Sequence, residues 1–459
     1  MNVIRLHLIK YAERLRSSFW FLPSLMASVA VAAAFGMVTL DRAVTADWLR
    51  SWDLAYTGGA QGASAVLQTI GGSMITIAGV VFSLTLVALS LASSQFGSRL
   101  LRNFMRDTMT QLVLGTFVAT FLYCLLVLRT IRRAEETLFV PHLSVTLGVL
   151  LAIASIWVLI YFIHHVAVSI QADEIVARVG AELVNGIDRL FPQQTSRGNA
   201  QTAAGPVDAG IPEDFEQEAG SVEAAEDGYL QIIDMNALVL LARREDVIFR
   251  IERRPGHYVV RRTPLVRAWP AHRVTDSLAG QVNSAFVLGN QRTSAEDVEF
   301  AVQELVEIAV RALSPGINDP FTAIVCVDRL GSALCHLARR DMPSPYRLDE
   351  QNRLRVIVSS STFAGVVDEA FNQIRQYART SVAVTVRLLE VVAVVATATT
   401  QEDRRLVLRH HAEMIVRGAR EGLPESQDRL AVEERFTALA TLLSAPSGQR
   451  GQAAAEAVK

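Results

Sequence analysis

The sequence carries no charged side chain between residues 54 and 98. A helix of about 20 apolar residues spans a bilayer, so this run is longer than one crossing requires. Three other long apolar runs lie in the first third of the chain, and the mean hydropathy of +0.28 is unusual for a soluble protein. The sequence therefore predicts four transmembrane helices, at residues 19–40, 67–92, 111–128 and 143–163.

The basic residues that flank these runs predict the orientation, because cytosolic loops carry an excess of lysine and arginine. Four basic residues precede the first span and three lie in the second loop: Arg5, Lys10, Arg14, Arg16, Arg99, Arg102 and Arg106. The third loop argues the other way, with Arg129, Arg132 and Arg133. On balance we expect the N-terminus and the C-terminus in the cytosol.

The segments around these spans differ in composition. Apolar residues recur at helical spacing among the basic residues of segment 1–18, which predicts a cytosolic amphipathic helix. Residues 192–227 are rich in glycine, alanine and acidic residues, and such a composition predicts a disordered acidic linker. The other predicted segments are a four-helix transmembrane domain at 19–170, a helical connector at 171–191, a cytosolic α+β domain at 228–446 and a disordered tail at 447–459.

A fifth apolar segment, residues 381–400, has two interpretations. Arg387 and Glu390 lie in its middle, three residues apart on one helix face. A charge at the centre of a bilayer costs about 2.5–3.5 kcal/mol on insertion scales. This cost favours a buried helix of the soluble domain with an ion pair, and the alternative is a membrane-associated helix.

The α+β domain is predicted to be mostly helical with a small β-hairpin or sheet. A strand at 229–233 and a helix at 235–244 precede a hairpin of strands 247–252 and 257–261. This region is rich in arginine, which predicts a solvated surface, contact with anionic lipid headgroups, or contact with the acidic linker. Nucleic acid ranks third as a partner of this region, and we expect none, because no stacking-aromatic motif accompanies the charge. The candidate lipid contacts are Arg99, Arg102, Arg106, Arg253 and Arg254.

Helix caps mark the second half of this domain. Thr293 and Glu296 have the spacing of a capping box, which predicts a helix from there to about Leu313. A structural turn follows, and Asp319 is placed to cap the next helix with Pro320 in its first position. The turn residues are Ser314, Pro315, Gly316, Asn318, Asp319 and Pro320. Further helices are predicted at 321–340, 356–379 and 381–397, with two more near the C-terminus.

The second span carries a stripe of small residues. At about 100° per residue, seven of its small and hydroxyl-bearing side chains share one narrow face. These residues are Gly72, Thr76, Gly79, Ser83, Ser90, Ser94 and Gly97. One interpretation is a seam at which helices pack closely, and the other is the lining of a pore or substrate path exposed on oligomerisation.

No enzyme signature is present in the sequence, and we expect no catalytic residue, no metal and no cofactor. Walker loops, dinucleotide fingerprints, HExxH and GxSxG are all absent. The two histidine pairs, 164–165 and 410–411, are poor metal sites because adjacent residues point to different helix faces. Three scattered cysteines without a CxxC motif are typical of a reducing compartment.

Three stretches of the chain together resemble a bacterial family of predicted membrane proteins known as domain of unknown function 2254. They are RALSPGINDPFTA at 311–323, GVVFSLTLVALSLASSQFGSRLLRNFMRD at 79–107 and FIHHVAVSIQ at 162–171. The resemblance implies a multi-span membrane part with a soluble C-terminal part, in the bacterial cytoplasmic (inner) membrane. It implies no catalytic residues.

Two functions fit these observations best. The first is an oligomeric channel-like or transport-associated module, built from copies of this chain in the bilayer and regulated by its cytosolic domain. The second is a membrane-anchored sensor or scaffold that binds anionic lipid or a protein partner through the arginine-rich hairpin. An enzyme is the least favoured class.

Overall fold

The computed structural model describes residues 20–43, 58–97, 107–131, 139–169, 171–192, 210–294 and 296–445. The chain divides into an N-terminal and a C-terminal unit between Glu174 and Ile175. Several predictions concern residues outside the described ones. These are the helix at 1–18, the arginines Arg99, Arg102 and Arg106, the linker segment 193–209 and the tail at 447–459.

The N-terminal unit is a bundle of four helices. The central helix is α3, which packs against the other three. Two apolar clusters fill the bundle, one around Leu67, Tyr123 and Val145 and one around Met74, Phe117 and Phe162. The helices are α1 (Phe21–Ala43), α2 (Ala60–Phe96), α3 (Thr108–Leu128) and α4 (His142–Ser169). All four coincide with predicted spans.

Helix length and hydropathy allow one membrane crossing more than the sequence predicts. Among the described residues, five helices are long and apolar enough to cross a bilayer, whereas the sequence predicts four spans. The fifth is α10 (Pro320–Ala338) of the C-terminal unit, not the segment at 381–400 that the sequence singles out. Hydropathy alone therefore does not fix the number of crossings.

The C-terminal unit combines two antiparallel-rich sheets with a helical part. The order of the larger sheet is β1-β5-β3-β8-β7, and that of the smaller sheet is β4-β2-β6. The strands are β1 (Gly220–Glu223), β2 (Gly228–Ile233), β3 (Ile248–Ile251), β4 (Tyr258–Val259), β5 (Pro264–Trp269), β6 (Phe286–Gly289), β7 (Tyr346–Leu348) and β8 (Leu354–Val358). The helices are α5 (Ala172–Leu190), α6 (Phe215–Glu218), α7 (Met235–Arg244), α8 (Asp276–Ser284), α9 (Val298–Ala312), α10, α11 (Phe363–Ala378), α12 (Val382–Ala398), α13 (Glu402–Gly422) and α14 (Ser426–Ser444).

The prediction of an arginine-rich hairpin is wrong, because its two strands do not pair with each other. Strand β3 pairs with β5 on one side and with β8 on the other, so both of its edges are occupied. The chain after β3 therefore crosses to the other sheet, where β4 pairs with β2. The backbone N–H of Gly256 donates to the carbonyl of Leu230 at 2.8 Å, and Leu230 N–H donates back to His257 at 2.9 Å.

The prediction of disorder is wrong for residues 210–227. Helix α6 and strand β1 lie in this segment, and β1 extends the larger sheet along β5. Phe215 and Val222 are buried. Two well-placed apolar side chains and one free sheet edge are enough to order a segment whose average composition is polar.

Two further local predictions are wrong. The helix α9 is capped by Asp297, whose carboxylate accepts from Phe300 N–H at 3.1 Å, and not by Thr293. Glu296 accepts from the Ile233 N–H of β2 at 3.1 Å instead of completing a capping box. The predicted helix at 356–379 begins only at Phe363, because the β-branched residues before it form β8 beside β3.

The helical part contains the apolar segment at 381–400 as helix α12. Its Arg387 contacts Glu390 at 2.9 Å, as predicted, and also contacts Asp328 of α10 at 2.5 Å. Two adjacent arginines of α13 hold the ends of other helices. Arg404 donates to the carbonyls of Ala338 and Arg340 at the end of α10, and Arg405 donates to those of Leu442 and Leu443 in α14. These bonds satisfy carbonyls that helix ends leave without partners.

Candidate functional site

The small-residue stripe of α2 lies on the side that faces away from the bundle. The buried face of α2 includes Leu67, Met74, Ala78 and Val81. At about 100° per residue, the stripe is centred roughly 160° from this face. The face through which α2 packs in the bundle is thus opposite the stripe. Among the described residues, no other helix covers the stripe between Gly72 and Ser94.

Most of the stripe is exposed. Gly72, Thr76, Gly79, Ser83, Ser90 and Ser94 are all exposed, whereas Gly97, beyond the end of the helix, is buried. A Cβ added at Gly72 or at Gly79 would meet nothing within 4 Å. The Thr76 hydroxyl donates to the carbonyl of Gly72 at 2.9 Å, which covers part of its polarity. Leu86, also exposed, interrupts the stripe between Ser83 and Ser90.

Asp41 links two helices at one end of the bundle. It lies in the last turn of α1, and its carboxylate accepts from the backbone N–H groups of Leu143 and Ser144 at 2.8 and 2.9 Å. Tyr123 of α3 donates to the carbonyl of Ser144 at 2.9 Å. Asp41 therefore satisfies the first turn of α4 from a distant part of the chain.

Asp107 and His165 form a similar contact at another place in the bundle. Asp107 caps α3 through the N–H of Met109 at 3.2 Å and the Thr110 hydroxyl at 2.7 Å. The same carboxylate contacts His165 Nε2 of α4 at 2.8 Å, and Tyr161 stacks on the imidazole with ring centroids 5.9 Å apart. His165 thus joins α4 to the start of α3. The only feature of the sequence that pointed to such a role is the position of His165 at the end of an apolar run.

A third polar contact lies inside the bundle. The hydroxyls of Thr120 in α3 and Ser155 in α4 are 3.3 Å apart and buried. In lipid such hydroxyls join helices, since water is absent. Sequence reasoning missed all three contacts, because none of these partners lies close to the other in the chain.

The arginines of the sheet region are mostly engaged by acidic residues of the same unit. Arg250 and Arg267 both contact Glu216 of α6, and Arg250 also contacts Glu252 at 2.9 Å. These arginines hold the pKa of the exposed Glu216 carboxyl below its usual value. Contact with the acidic segment, one of the three predicted roles for this charge, is thus observed for Arg250 and Arg267.

Arg254 belongs to a half-buried polar cluster between β4 and α9. It contacts Glu299 at 2.8 Å and His257 Nε2 at 3.0 Å, and its neighbour Arg253 has a buried Nε without a hydrogen bond among the described residues. Burial raises the pKa of Glu299, although Arg254 acts against it, and burial lowers the pKa of His257. Arg253 and Arg254, which the sequence predicts as lipid contacts, both lie in this cluster, and the guanidinium of Arg254 already has a carboxylate partner.

The turn at 314–320 is built from hydrogen bonds within the chain. Asp319 caps α10 and Pro320 occupies its first position, as the sequence indicates. Cys326 lies about two helical turns later, and burial raises the pKa of its thiol, which keeps it protonated. In the part of the chain that the structure describes, no group of three or more histidine, cysteine and acidic side chains could hold a metal ion.

Comparisons with known proteins identify the family. A family model described as a predicted membrane protein (DUF2254) matches residues 16–394. The chain belongs to this family. Its relatives include uncharacterized proteins of Mycobacterium bovis and Mycobacterium tuberculosis, each 30% identical over 428 residues, which are 92% of this chain and 80% of theirs. No solved structure matches the chain significantly.

The DUF2254 region includes most of the structure described above. It begins before α1 and ends within α12, so it contains the α2 stripe, the polar contacts of the bundle and the 314–320 turn. The resemblance seen in the sequence is thereby confirmed. The family description supports a membrane protein, and it assigns no reaction or ligand.

Proposed function

We propose that this protein is a homo-oligomeric, channel-like or transport-associated module of the bacterial inner membrane. The observation that carries the proposal is the exposure of the α2 stripe on the side opposite its packing face. Helices in lipid associate through small residues that allow close approach, and hydroxyls on such a face suit a polar path. Copies of the chain would meet, or line an axis, through Gly79 and Ser83.

The arrangement we propose has four crossings, α1–α4, with both chain ends in the cytosol. The choice against α10 as a crossing rests on its surroundings. Half of its most apolar stretch is buried within the C-terminal unit, Asp328 contacts Arg387, and Gly331 packs tightly against Val391 of α12. Removing α10 from these contacts would expose the core of that unit and leave the charge of Arg387 with fewer partners.

The long α2 supports a path that extends beyond the hydrocarbon. Its 37 residues correspond to about 55 Å at about 1.5 Å per residue, against about 30 Å for the hydrocarbon core. Within the proposal, the C-terminal unit regulates the module. The alternative, a sensor or scaffold acting through the arginines, has less support because Arg250, Arg254 and Arg267 already contact carboxylates.

Ion flux from liposomes that contain the purified full-length protein tests the proposal. We expect K⁺ or Cl⁻ flux with the wild type, and a loss of flux in Gly79→Leu and in Ser83→Leu, because both fill the stripe. The matched control is Ser73→Leu. Ser73 is an exposed serine of the same helix and lies roughly 80–100° away from the stripe.

The control should retain flux, since its new side chain would face lipid. Thermal unfolding in detergent shows whether each variant is folded. Absence of flux with folded wild-type protein would refute the transport part of the proposal. Equal loss in Ser73→Leu and Ser83→Leu would refute the role of the stripe.

A further inference from the structure

The turn that joins α9 and α10 presents apolar side chains to its surroundings. The Phe321 side chain is 76% exposed, the highest value among the exposed large apolar residues described, and Ile317 is 46% exposed. Pro315 and Gly316, which precede Ile317, are also exposed, and so is the polar Asn318 that follows it. We name residues 314–321 the apolar tip. Neighbouring exposed apolar side chains of this kind mark a candidate surface for contact with a protein or a membrane.

Hydrogen bonds of the backbone and of the Asp319 carboxylate hold the apolar tip together. The Ser314 carbonyl accepts from the N–H groups of Ile317 and Asn318 at 3.1 and 2.9 Å, and Asp319 N–H donates to Ala312 at 2.7 Å. The Asp319 carboxylate accepts from the N–H groups of Phe321 and Thr322, each at 3.1 Å. The tip is therefore a hydrogen-bonded turn that exposes the apolar side chains of Pro315, Ile317 and Phe321 beside the single polar side chain of Asn318.

Contacts between α5 and α10 fix the level of the apolar tip along α5. A Cβ at Gly180 would lie 3.2 Å from Arg329, and Arg340 contacts Asp188 and the carbonyl of Phe191. Both helices thus run in the same direction. Gly180 lies level with Arg329, so the residues that precede each of them by the same number of positions are also level. Ala172, the first residue of α5, is therefore level with Phe321.

Contacts between α5 and α9 lead independently to the same level. A Cβ at Gly186 would lie 3.8 Å from Val298, and Arg189 donates to the carbonyl of Ser294 at 3.1 Å. These helices run in opposite directions. Gly186 lies level with Val298, so a step back along α5 corresponds to an equal step forward along α9. Ala172 is therefore level with Ala312, which precedes the tip. The apolar tip is therefore at the end of the C-terminal unit where the chain arrives from α4.

The bilayer surface is close to this point of the chain. Helix α4 has 28 residues, or about 42 Å at about 1.5 Å per residue. This length matches the roughly 40–45 Å of hydrocarbon plus headgroup layers, so a centred α4 ends among the headgroups. Only two residues, 170 and 171, lie between Ser169, where α4 ends, and Ala172, where α5 begins.

We propose that the apolar tip inserts Phe321 and Ile317 into the headgroup–acyl boundary of the bilayer. Aromatic side chains are favoured at this boundary. The tip bears no basic side chain, and the first turn of α5 at the same level is acidic, with Asp173 and Glu174. The hydrophobic effect would thus drive insertion of the tip, and anionic lipid would not be required. The inference rests on the crossing of α4 and the exclusion of α10 proposed above, not on the α2 stripe or on flux.

Photo-crosslinking of the full-length protein in nanodiscs of phosphatidylcholine, a neutral lipid, tests this proposal. Phe321 is replaced by benzoylphenylalanine, a change that an exposed aromatic position accommodates. We expect a mass increase of one phospholipid on the peptide that contains position 321. The adduct should be unchanged by high salt.

Two control positions define the result. Tyr258 is an exposed aromatic near Gly256, which packs against Asp297 at the opposite end of α9, so the same label there should give no lipid adduct. Ser332 is exposed on α10, about 16 Å beyond Phe321 at about 1.5 Å per residue, and should also give none.

Three outcomes would overturn the proposal. A crosslinked dimer in place of the lipid adduct would identify a second copy as the occupant of the tip. No adduct of either kind would show that the tip faces water. Equal lipid labelling at 321 and 332 would show α10 inside the membrane, which would also overturn the four-crossing arrangement. The flux experiment is a separate test: if the protein conducts no ions, the lipid adduct at position 321 is still expected.

Discussion

Asp41 at the end of one apolar helix caps the start of another, at Ser144. The backbone N–H groups in the first turn of a helix have no partner within that helix, and in a membrane protein water does not always replace one. Here the carboxylate of Asp41 accepts from the N–H groups of Leu143 and Ser144. One side chain therefore sets the position of α4 relative to α1.

Replacing Asp41 by alanine should lower the stability of the bundle by about 1–2 kcal/mol, the usual value of a helix cap. The measurement is thermal unfolding of the detergent-solubilised protein. Asp41→Asn keeps an oxygen acceptor and should lose less than half as much. An unchanged midpoint in Asp41→Ala would contradict the capping role.

The contact between Thr120 and Ser155 should contribute about 0.6 kcal/mol, the average of intramembrane side-chain hydrogen bonds. A double-mutant cycle with Thr120→Val and Ser155→Ala measures this coupling energy, because each variant removes one hydroxyl from the pair. Additive effects of the two changes would mean that the hydroxyls do not interact.

Asp349 and Arg355 form a buried ion pair in the C-terminal unit, with a distance of 2.9 Å. Burial alone would raise the pKa of Asp349, but the hydrogen bonds from Arg355 and the backbone N–H groups of Arg353 and Gln351 lower it to about 2. Asp349→Ala should lower the free energy of unfolding by about 3 kcal/mol, because it leaves a buried charge with one partner fewer.

The same pair predicts a dependence on pH. Since the folded-state pKa of Asp349 lies below its ordinary 3.8, its stabilisation is complete above that pH and is lost as the pH falls toward about 2. Asp349→Ala should unfold at the same midpoint as the wild type once the carboxyl is protonated. A difference that persists undiminished at the acid end would contradict this explanation.

His411 predicts a second pH effect, nearer neutrality. Burial lowers its pKa from the ordinary 6.5, against the opposing effect of Asp368 at 3.0 Å, and His410 and Arg375 add to the lowering. The unfolded chain then binds the proton more readily, so stability falls as the pH decreases below about 6.5. His411→Gln should show a smaller loss of melting temperature between pH 7.5 and pH 5.5, measured on the same detergent-solubilised protein. An equal loss in both proteins would exclude His411 as a cause.

Hydropathy and local spacing predict the parts of this fold that depend on near neighbours. The four apolar helices, the cap at Asp319 and the ion pair of Arg387 with Glu390 are each encoded within a few residues. The errors concern partners far apart in the chain. Strand β4 pairs with β2 because β3 has no free edge, and segment 210–227 is ordered because Phe215 and Val222 find a core.

In the candidate site, too, the sequence predicts the features that depend on near neighbours and misses those that depend on distant contacts. Helical spacing alone predicts that the small residues of α2 share a face, but only the packed bundle reveals that this face lies opposite the seam. The apolar character of the 314–321 turn is visible in the sequence. Its level beside the start of α5 depends on contacts such as Gly180 with Arg329, which no local pattern encodes.

Disulfide crosslinking in native membranes tests the central claim, that copies of this chain meet through the α2 stripe. Ser83→Cys and Ser73→Cys place the same thiol on two exposed positions of one helix that differ in their face. The native Cys124 and Cys326 are buried and Cys335 is partly buried, so wild-type protein supplies the background. We predict an oxidised dimer for Ser83→Cys and none above background for Ser73→Cys. A dimer that forms equally well at both positions, or at neither, would contradict the claim.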